Sequence, residues 1–168
     1  MLAKRNPLTV GDLMLTSPPS YTDMTTAVPQ KELETNFNLL RSPIFGNIAF
    51  SILESKEIIR FFSDLFLFMD KCDDRWLDET EQECCREARA PICAFNAGLL
   101  QHRSFEDELR EMTQNTLIVS GKGDKRVEDR EKYSSAMAKC SLKSIEGLNV
   151  MPWENPGEVV RLIKELGY

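Results

Sequence analysis

The amino-acid sequence predicts an α/β protein in which a parallel sheet carries a large helical insertion. Apolar runs of strand length lie at residues 10–15 and 115–121. Between them, the apolar residues follow helical spacing. After the second run comes a helix, a strand and a helix with short links, the order typical of right-handed βαβ units. The predicted parts are 1–21 (the end of a helix and the first strand), 22–113 (the helical insertion) and 114–168 (a βαβα unit).

Composition is that of a globular protein and excludes several functional classes. The 168 residues are 42% hydrophobic and 29% charged. A net charge of −6 with no basic stripe argues against a nucleic-acid-binding protein. Arg60 and Asp64 interrupt the longest apolar stretch, so we expect no membrane span. No secretory signal is visible, which favours an intracellular, by default cytoplasmic, location. An organelle such as the chloroplast is the alternative if a targeting segment precedes Met1.

The cysteines do not form a recognisable framework. Their odd number and the absence of a C-x-x-C pair favour reduced thiols over disulfides or structural zinc. The adjacent pair Cys84 and Cys85 lies in a helical pattern, where the two side chains point in different directions. We therefore expect no metal site and no cofactor. The five are Cys72, Cys84, Cys85, Cys93 and Cys140.

The first part of the chain combines a helix end with a short strand. The segment "MLAKRNP" has the character of a last helical turn that ends before Pro7. The strand at 10–15 is stopped by Pro18 and Pro19, because proline cannot continue a ladder of hydrogen bonds.

The middle part is predicted to be helical throughout. Leu33, Phe37 and Leu40 share one helix face, and an acidic surface helix is predicted to end at Pro91. Ser104 is the predicted N-cap of a further helix. The aromatic residues of this part suit an apolar pocket or, equally, an ordinary helical core. They are Phe37, Phe45, Phe50, Phe61, Phe62, Phe66 and Phe68.

The last part is predicted to hold two adjacent parallel strands, 115–121 and 141–146. The helix between them starts near Val127, and the connection is too long for a hairpin. A final helix is predicted with Asn155 as N-cap, Pro156 at its first position and Glu158 at its third.

Three segments in this order resemble the C-terminal half of the α/β-hydrolase fold family. The segment "VGDLMLTSPPSY" is similar to strand six, "NTLIVSGKGD" to strand seven, and "SLKSIEGLNVMPWENP" to strand eight with its turn. The resemblance covers nearly the whole chain and implies an ester- or acyl-type hydrolase scaffold whose helical insertion is a lid. It also implies that an N-terminal half of roughly 150 or more residues, carrying a G-x-[SDC]-x-G elbow, precedes Met1.

The chemistry of that family requires a nucleophile on an elbow, a histidine base and an acid. The elbow motif G-x-S-x-G is absent, and its nearest string, "IVSGK", has Ile118 where the first glycine belongs. The resemblance puts Asp124 at the acid position; the alternative is a turn aspartate. It puts Val150 at the histidine position and Asn149 at that of a glycine. Valine cannot accept a proton.

His102 is the one histidine of the sequence, at the end of a predicted insertion helix. In a lid it would contact substrate at the mouth of the pocket, and we treat it as a candidate substrate-binding residue. The alternative is an exposed histidine at a helix end. We do not assign it as the base.

Three functional hypotheses remain open at this point. The first is a hydrolase-family scaffold without hydrolase activity in this chain alone. The second is a non-catalytic module that binds a small apolar or ester-like ligand or another protein. The third is an unrelated small α/β domain. In the first two, strand "TVGDLML" leaves a bare edge through which we expect self-association.

Overall fold

The computed structural model describes residues 2–83 and 89–167, which form two compact units. Unit 1 comprises Met1–Thr25, Leu67–Met69 and Ser104–Tyr168. Unit 2 comprises Thr26–Phe66 and Asp70–Arg103.

Unit 1 contains a three-stranded parallel sheet in the order β1-β2-β3. The strands β2 and β3 pair from Thr116↔Cys140 to Gly121↔Ile145, so the predicted adjacent, parallel arrangement is confirmed with bounds shifted by one residue. The elements are α1 (Leu2–Arg5), β1 (Leu13–Thr16), α2 (Tyr21–Thr25), α8 (Glu106–Arg110), β2 (Thr116–Gly121), α9 (Val127–Ala136), β3 (Cys140–Ile145), α10 (Met151–Glu154) and α11 (Pro156–Glu165).

The first strand is shorter than predicted and begins later. The N–H groups of Thr9 and Val10 bond to the carbonyl of Asn6, which makes this stretch a turn. Leu13 is the residue whose N–H first reaches β2, at 2.8 Å from the Asn115 carbonyl oxygen. The strand ends at Thr16, before the two prolines, as predicted.

Both faces of the central strand are covered, which explains its continuous apolar run. On one face, Ile118 packs with Tyr133 and Met137 of the α9 region. On the other, Leu117 and Val119 pack against α10 and α11. Every residue of β2 is buried. Unit 1 is therefore a layered α/β structure in which the helices cover the sheet.

Unit 2 is helical in the residues that the structure describes. Leu33 of α3 is buried, while Phe37 and Leu40 of the same predicted face are half-buried. The elements are α3 (Gln30–Arg41), α4 (Phe45–Leu53), α5 (Lys56–Phe62), a π-helical turn (Ser63–Leu67, whose last residue belongs to unit 1), α6 (Asp74–Glu83), α7 (Arg89–Asn96) and a 3₁₀ turn (Leu99–Gln101).

Two helix ends differ from the sequence prediction. Pro91 does not end a helix but lies within α7. Ser104 is not the N-cap of α8; Phe105 is, although the Ser104 hydroxyl still accepts the Glu106 N–H at 3.2 Å.

Cys84 and Cys85, predicted to lie on helix faces, are outside the described residues. The N-cap prediction for α11 is confirmed, since Asn155 accepts the Glu158 N–H.

Candidate functional site

The carboxyl ends of the three parallel strands meet at one edge of the sheet in unit 1. This edge is where ligands of open α/β sheets bind. Ser17 follows β1, Asp124 follows β2, and residues 147–150 follow β3. The Ser17 hydroxyl donates to the Leu148 carbonyl at 3.1 Å, which ties the first and third of these turns together.

Asp124 is buried and engaged by two arginines. One carboxylate oxygen accepts from Arg130 Nη1. The other accepts the Arg126 N–H at 2.9 Å and lies 3.6 Å from Arg126 Nε. Asp124 also donates its own N–H to the Gly121 carbonyl, so it closes the turn that leaves β2. The Asp124 carboxylate therefore makes structural contacts with two arginines, at the position where the resemblance puts a catalytic acid.

Arg130 is one of two residues at this edge of the sheet that the sequence analysis did not single out; Glu154 is the other. Arg130 is 1% exposed, and burial lowers its pKa while the attraction of Asp124 opposes that change. Its Nε donates to the Pro18 carbonyl at 2.8 Å and its Nη1 to the Ser120 hydroxyl at 2.9 Å. Arg130 precedes Tyr133 by three residues on a buried helix face. A charged residue in an apolar stripe is a signal for a buried partner, and it was available in the sequence.

The turn after β3 offers hydrogen-bonding backbone but no base at the expected position. Gly147 has φ of 127°, a conformation that favours glycine. Val150 follows as the N-cap residue of α10, with an apolar side chain. The N–H groups of Asn149 and Val150 point to the Leu67 carbonyl oxygen, at 2.9 and 3.3 Å. The Val150 side chain supplies no proton acceptor.

Glu154 holds this turn in place. One of its carboxylate oxygens accepts the Leu148 N–H and the other the Met69 N–H, each at 2.7 Å. These charge-assisted bonds fix Leu67–Met69 against the turn after β3 within unit 1. The sequence analysis did not single out Glu154, because a carboxylate that reaches back to a turn looks like any acidic residue in a first helical turn.

The other candidate residue, His102, lies in unit 2, just after the 3₁₀ turn. It is exposed, and its Nδ1 is 3.0 Å from the Leu99 carbonyl oxygen. The structure therefore gives His102 a local backbone partner at a helix end. The substrate-binding role of His102 remains a prediction.

Metal ligands and membrane-spanning helices are not found in the described part of the chain. No group of three or more potential metal-binding side chains occurs there. Cys72, Cys93 and Cys140 are free thiols, and burial raises the pKa of Cys72 to about 11. Within residues 2–83 and 89–167, no helix is long and apolar enough to cross a bilayer.

Unit 2 contains a row of apolar cavities between α3, α4 and α7. The first has a volume of about 540 Å³ and is lined by Phe37, Arg41, Arg89, Ala90 and Cys93. A second, of about 210 Å³, shares Cys93 with it. A third, of about 270 Å³, shares four residues with the second: Phe50, Leu53, Ile92 and Asn96.

The phenylalanines predicted to form a pocket or a core divide between several environments. Phe37, Phe50 and Phe62 line these cavities, and Phe50 is buried. Phe68 is buried in unit 1. The remaining three are more than half exposed: Phe45, Phe61 and Phe66.

Comparison with solved structures identifies the fold. The chain is similar to a probable hydrolytic enzyme from Pseudomonas aeruginosa PAO1, with a TM-score of 0.71 and 14% identity over 97% of this chain and 57% of that one. A serine hydrolase from Cycloclasticus zankles gives a TM-score of 0.65 and 16% identity over 97% and 57%. A haloalkane dehalogenase loop variant from Bradyrhizobium elkanii gives 0.62 and 15% over 96% and 60%.

These similarities show the fold and not the activity. The chain has the α/β-hydrolase fold over the C-terminal part of that fold, with the three strands paired in parallel in the expected order. It spans between 57% and 60% of the length of these three structures. No protein-family model and no curated protein matches the sequence.

Proposed function

We propose that this chain is a non-catalytic α/β-hydrolase scaffold that binds an apolar or ester-like ligand without hydrolysing it. The observation that carries the proposal is the engagement of Asp124 by Arg130. In a catalytic triad, the acid accepts a hydrogen bond from the base histidine and orients it. Here the acid position serves a buried arginine instead.

The absence of a base at the turn after β3 supports the same proposal. Acyl transfer needs a side chain that takes the proton of the nucleophile, and nucleophile and base act as one unit. Val150 has no ionisable group, and the backbone of the turn is bonded to Leu67. We extend the proposal to the whole protein, because a nucleophile from any other segment would meet the same turn and would still need a base.

The ligand-binding half of the proposal is supported by the cavities of unit 2. Their lining is mostly aliphatic and aromatic, and the first has the volume of an ordinary small-molecule site. On this proposal, the helical unit retains a binding site for an apolar ligand although the hydrolytic chemistry is lost.

An esterase assay tests the catalytic half. We expect the purified chain to turn over 4-nitrophenyl acetate at the rate of buffer alone. The His102→Ala variant is the matched control, since it removes the one imidazole. Turnover that follows the protein through purification and is lost in His102→Ala would overturn the proposal and make His102 the base.

A neutral, environment-sensitive dye tests the binding half. We expect Nile red to gain fluorescence on mixing with the chain and to be displaced by dodecanol. Ala49 lines the second cavity, so Ala49→Phe should reduce the signal while the circular dichroism spectrum stays unchanged. A folded chain that binds neither dye nor alcohol would contradict a ligand-binding function.

A further inference from the structure

The three cavities of unit 2 are neighbours, because consecutive cavities share lining residues. Cys93 lies in the wall of the first and second cavities. Phe50 and Ile92 lie in the walls of the second and third. Apolar spaces that follow one another in this way suit an unbranched chain, because successive segments of one chain can occupy successive spaces.

One end of the row carries positive charge. Arg41 lines the first cavity, with its guanidinium carbon 5.9 Å from the centre of the Phe37 ring. No carboxylate of the described residues pairs with Arg41, whose guanidinium contacts this ring. An arginine held over an aromatic face keeps its donors available for an anion.

The neighbouring arginine adds charge but has its donors occupied. Arg89 donates to the carbonyl oxygens of Leu40 and Ser42, at 3.1 and 2.8 Å, and to the Asn47 side-chain oxygen. All three acceptors are neutral groups, so the positive charge of Arg89 remains in the wall of the first cavity. Arg89 therefore raises the local potential, while Arg41 offers the hydrogen bonds.

The opposite end of the row carries negative charge. Glu54 lines the third cavity, together with Phe62. A carboxylate there repels an anionic group, whereas the arginine end attracts one. The row thus distinguishes its two ends by charge and has an apolar middle.

We propose that unit 2 binds an unbranched aliphatic carboxylate of long-chain fatty-acid type, with its carboxylate against Arg41 and its chain along Cys93, Ile92 and Phe50. This inference rests on the ligand-binding half of the proposed function and names its ligand class. It goes further because it assigns the recognition of the head group to one residue.

The test compares dodecanoate with dodecanol, which share a chain length and differ in charge. Binding to the full chain is measured by isothermal titration calorimetry below the critical micelle concentration. We expect dodecanoate to bind about tenfold more tightly than dodecanol, the ratio that corresponds to one charge-assisted hydrogen bond at a partly exposed site. Arg41→Gln should remove this difference and leave dodecanol binding unchanged. Lys31→Gln, on the same helix, is the matched control and should change neither.

The outcomes separate this inference from the function on which it rests. If dodecanoate and dodecanol bind equally, or if Arg41→Gln has no effect, the head-group assignment is overturned while apolar binding stands. If neither compound binds to the folded chain, the ligand-binding function is overturned together with the inference. Loss of both ligands in Ala49→Phe, with head-group selectivity lost only in Arg41→Gln, supports the whole proposal.

Discussion

Asp124 and Arg130 face each other in a part of unit 1 from which water is largely excluded. Their side chains are 5% and 1% exposed, and each makes further hydrogen bonds to neighbouring groups. The attraction between the two charges offsets the free-energy cost of removing both from water. Either charge alone would be buried without a partner and would destabilise the fold. Removal of one partner therefore tests whether the pair is structural.

We expect Asp124→Asn and Arg130→Met each to lower the free energy of unfolding by about 3–5 kcal/mol. The double variant should lose clearly less than the sum, because it buries no unpaired charge. Urea denaturation measures all three. Arg126→Met is the control: Arg126 also touches Asp124 but is 52% exposed, so its loss should cost less than about 1 kcal/mol. Additive, small effects of the two buried substitutions would contradict a structural pair.

Asp129 gives unit 1 a defined dependence on pH. Burial would raise its pKa, but hydrogen bonds from Lys132 and from the N–H and hydroxyl of Thr22 outweigh burial, and the pKa lies well below its ordinary value. A carboxyl group whose pKa is lowered in the folded state stabilises the protein at pH values above its unfolded-state pKa, which is about 3.8. This stabilisation is lost as the pH falls below that value and through the folded-state pKa.

We therefore expect the free energy of unfolding to fall between about pH 4 and pH 2, and to fall less steeply in Asp129→Asn. Urea titrations at a series of pH values measure the slopes. Glu131→Gln removes a carboxylate from an exposed position of the same helix and should retain the parent slope. Equal slopes in the two variants would exclude the Thr22 contact as the cause.

At the scale of single residues, the sequence predicted positions better than roles. Asn155 was identified as an N-cap because its type and its spacing to Glu158 define the interaction locally. The roles of Asp124 and Arg130 depend on Pro18 and Ser120, which the fold brings to the same place from the turn after β1 and from β2. The local pattern indicates that Arg130 is buried, but it does not identify these partners.

At the scale of elements, α9 holds the segment that leaves β1. Besides the bond from Arg130 to Pro18, Tyr133 donates its hydroxyl to the Pro19 carbonyl at 2.9 Å, and burial raises the pKa of that hydroxyl. Tyr21 and Tyr133 meet edge to face, with ring centres 5.4 Å apart. The helix is thus joined to this segment by polar groups as well as by packing.

Polar burial also explains what the sequence did not predict about α9. The helix begins at Val127, as expected, but its buried residues are Arg130 and Tyr133, both of which carry polar groups. By contrast, β2 was located within one residue because its burial on both faces produces a continuous apolar run. The position of an element whose buried face is hydrophobic can be predicted from the sequence. The buried face of an element that is held by ion pairs is much harder to predict.

The end of β2 and the turn after β3 approach too closely to accept a side chain between them. A Cβ atom on Gly121 would lie 2.3 Å from the carbonyl oxygens of both Gly147 and Leu148. We expect Gly121→Ala to displace the turn after β3 and to cost about 1–3 kcal/mol of unfolding free energy. Chemical denaturation measures the cost.

Gly157→Ala is the matched control for this prediction. A Cβ atom at Gly157 meets nothing within 4 Å, and the residue lies in α11. That substitution should be neutral or stabilising by up to about 1 kcal/mol. If the two substitutions change the free energy of unfolding by similar amounts, the close approach at Gly121 does not limit stability.

At the scale of the whole molecule, the described sheet leaves one side of β1 without a partner strand. Within the described residues, β1 pairs with β2 alone. The N–H groups of Leu13 and Ser17 point to β2, so by alternation that of Thr16 points to the open side. An unpaired edge of this kind is a template for another strand.

Self-association of the purified chain through this edge is therefore expected, and one substitution isolates the edge. Thr16→Pro removes an N–H from the open side and leaves the bonds to β2 intact, as proline does on edge strands. Light scattering should show the parent chain to be associated at high concentration and Thr16→Pro to be smaller. Thr16→Ala keeps the N–H and should behave as the parent.

The exposed apolar residues of unit 2, among them Ile44 and Phe95, provide the competing cause of association. If Thr16→Pro associates as strongly as Thr16→Ala, association proceeds through a surface other than the edge.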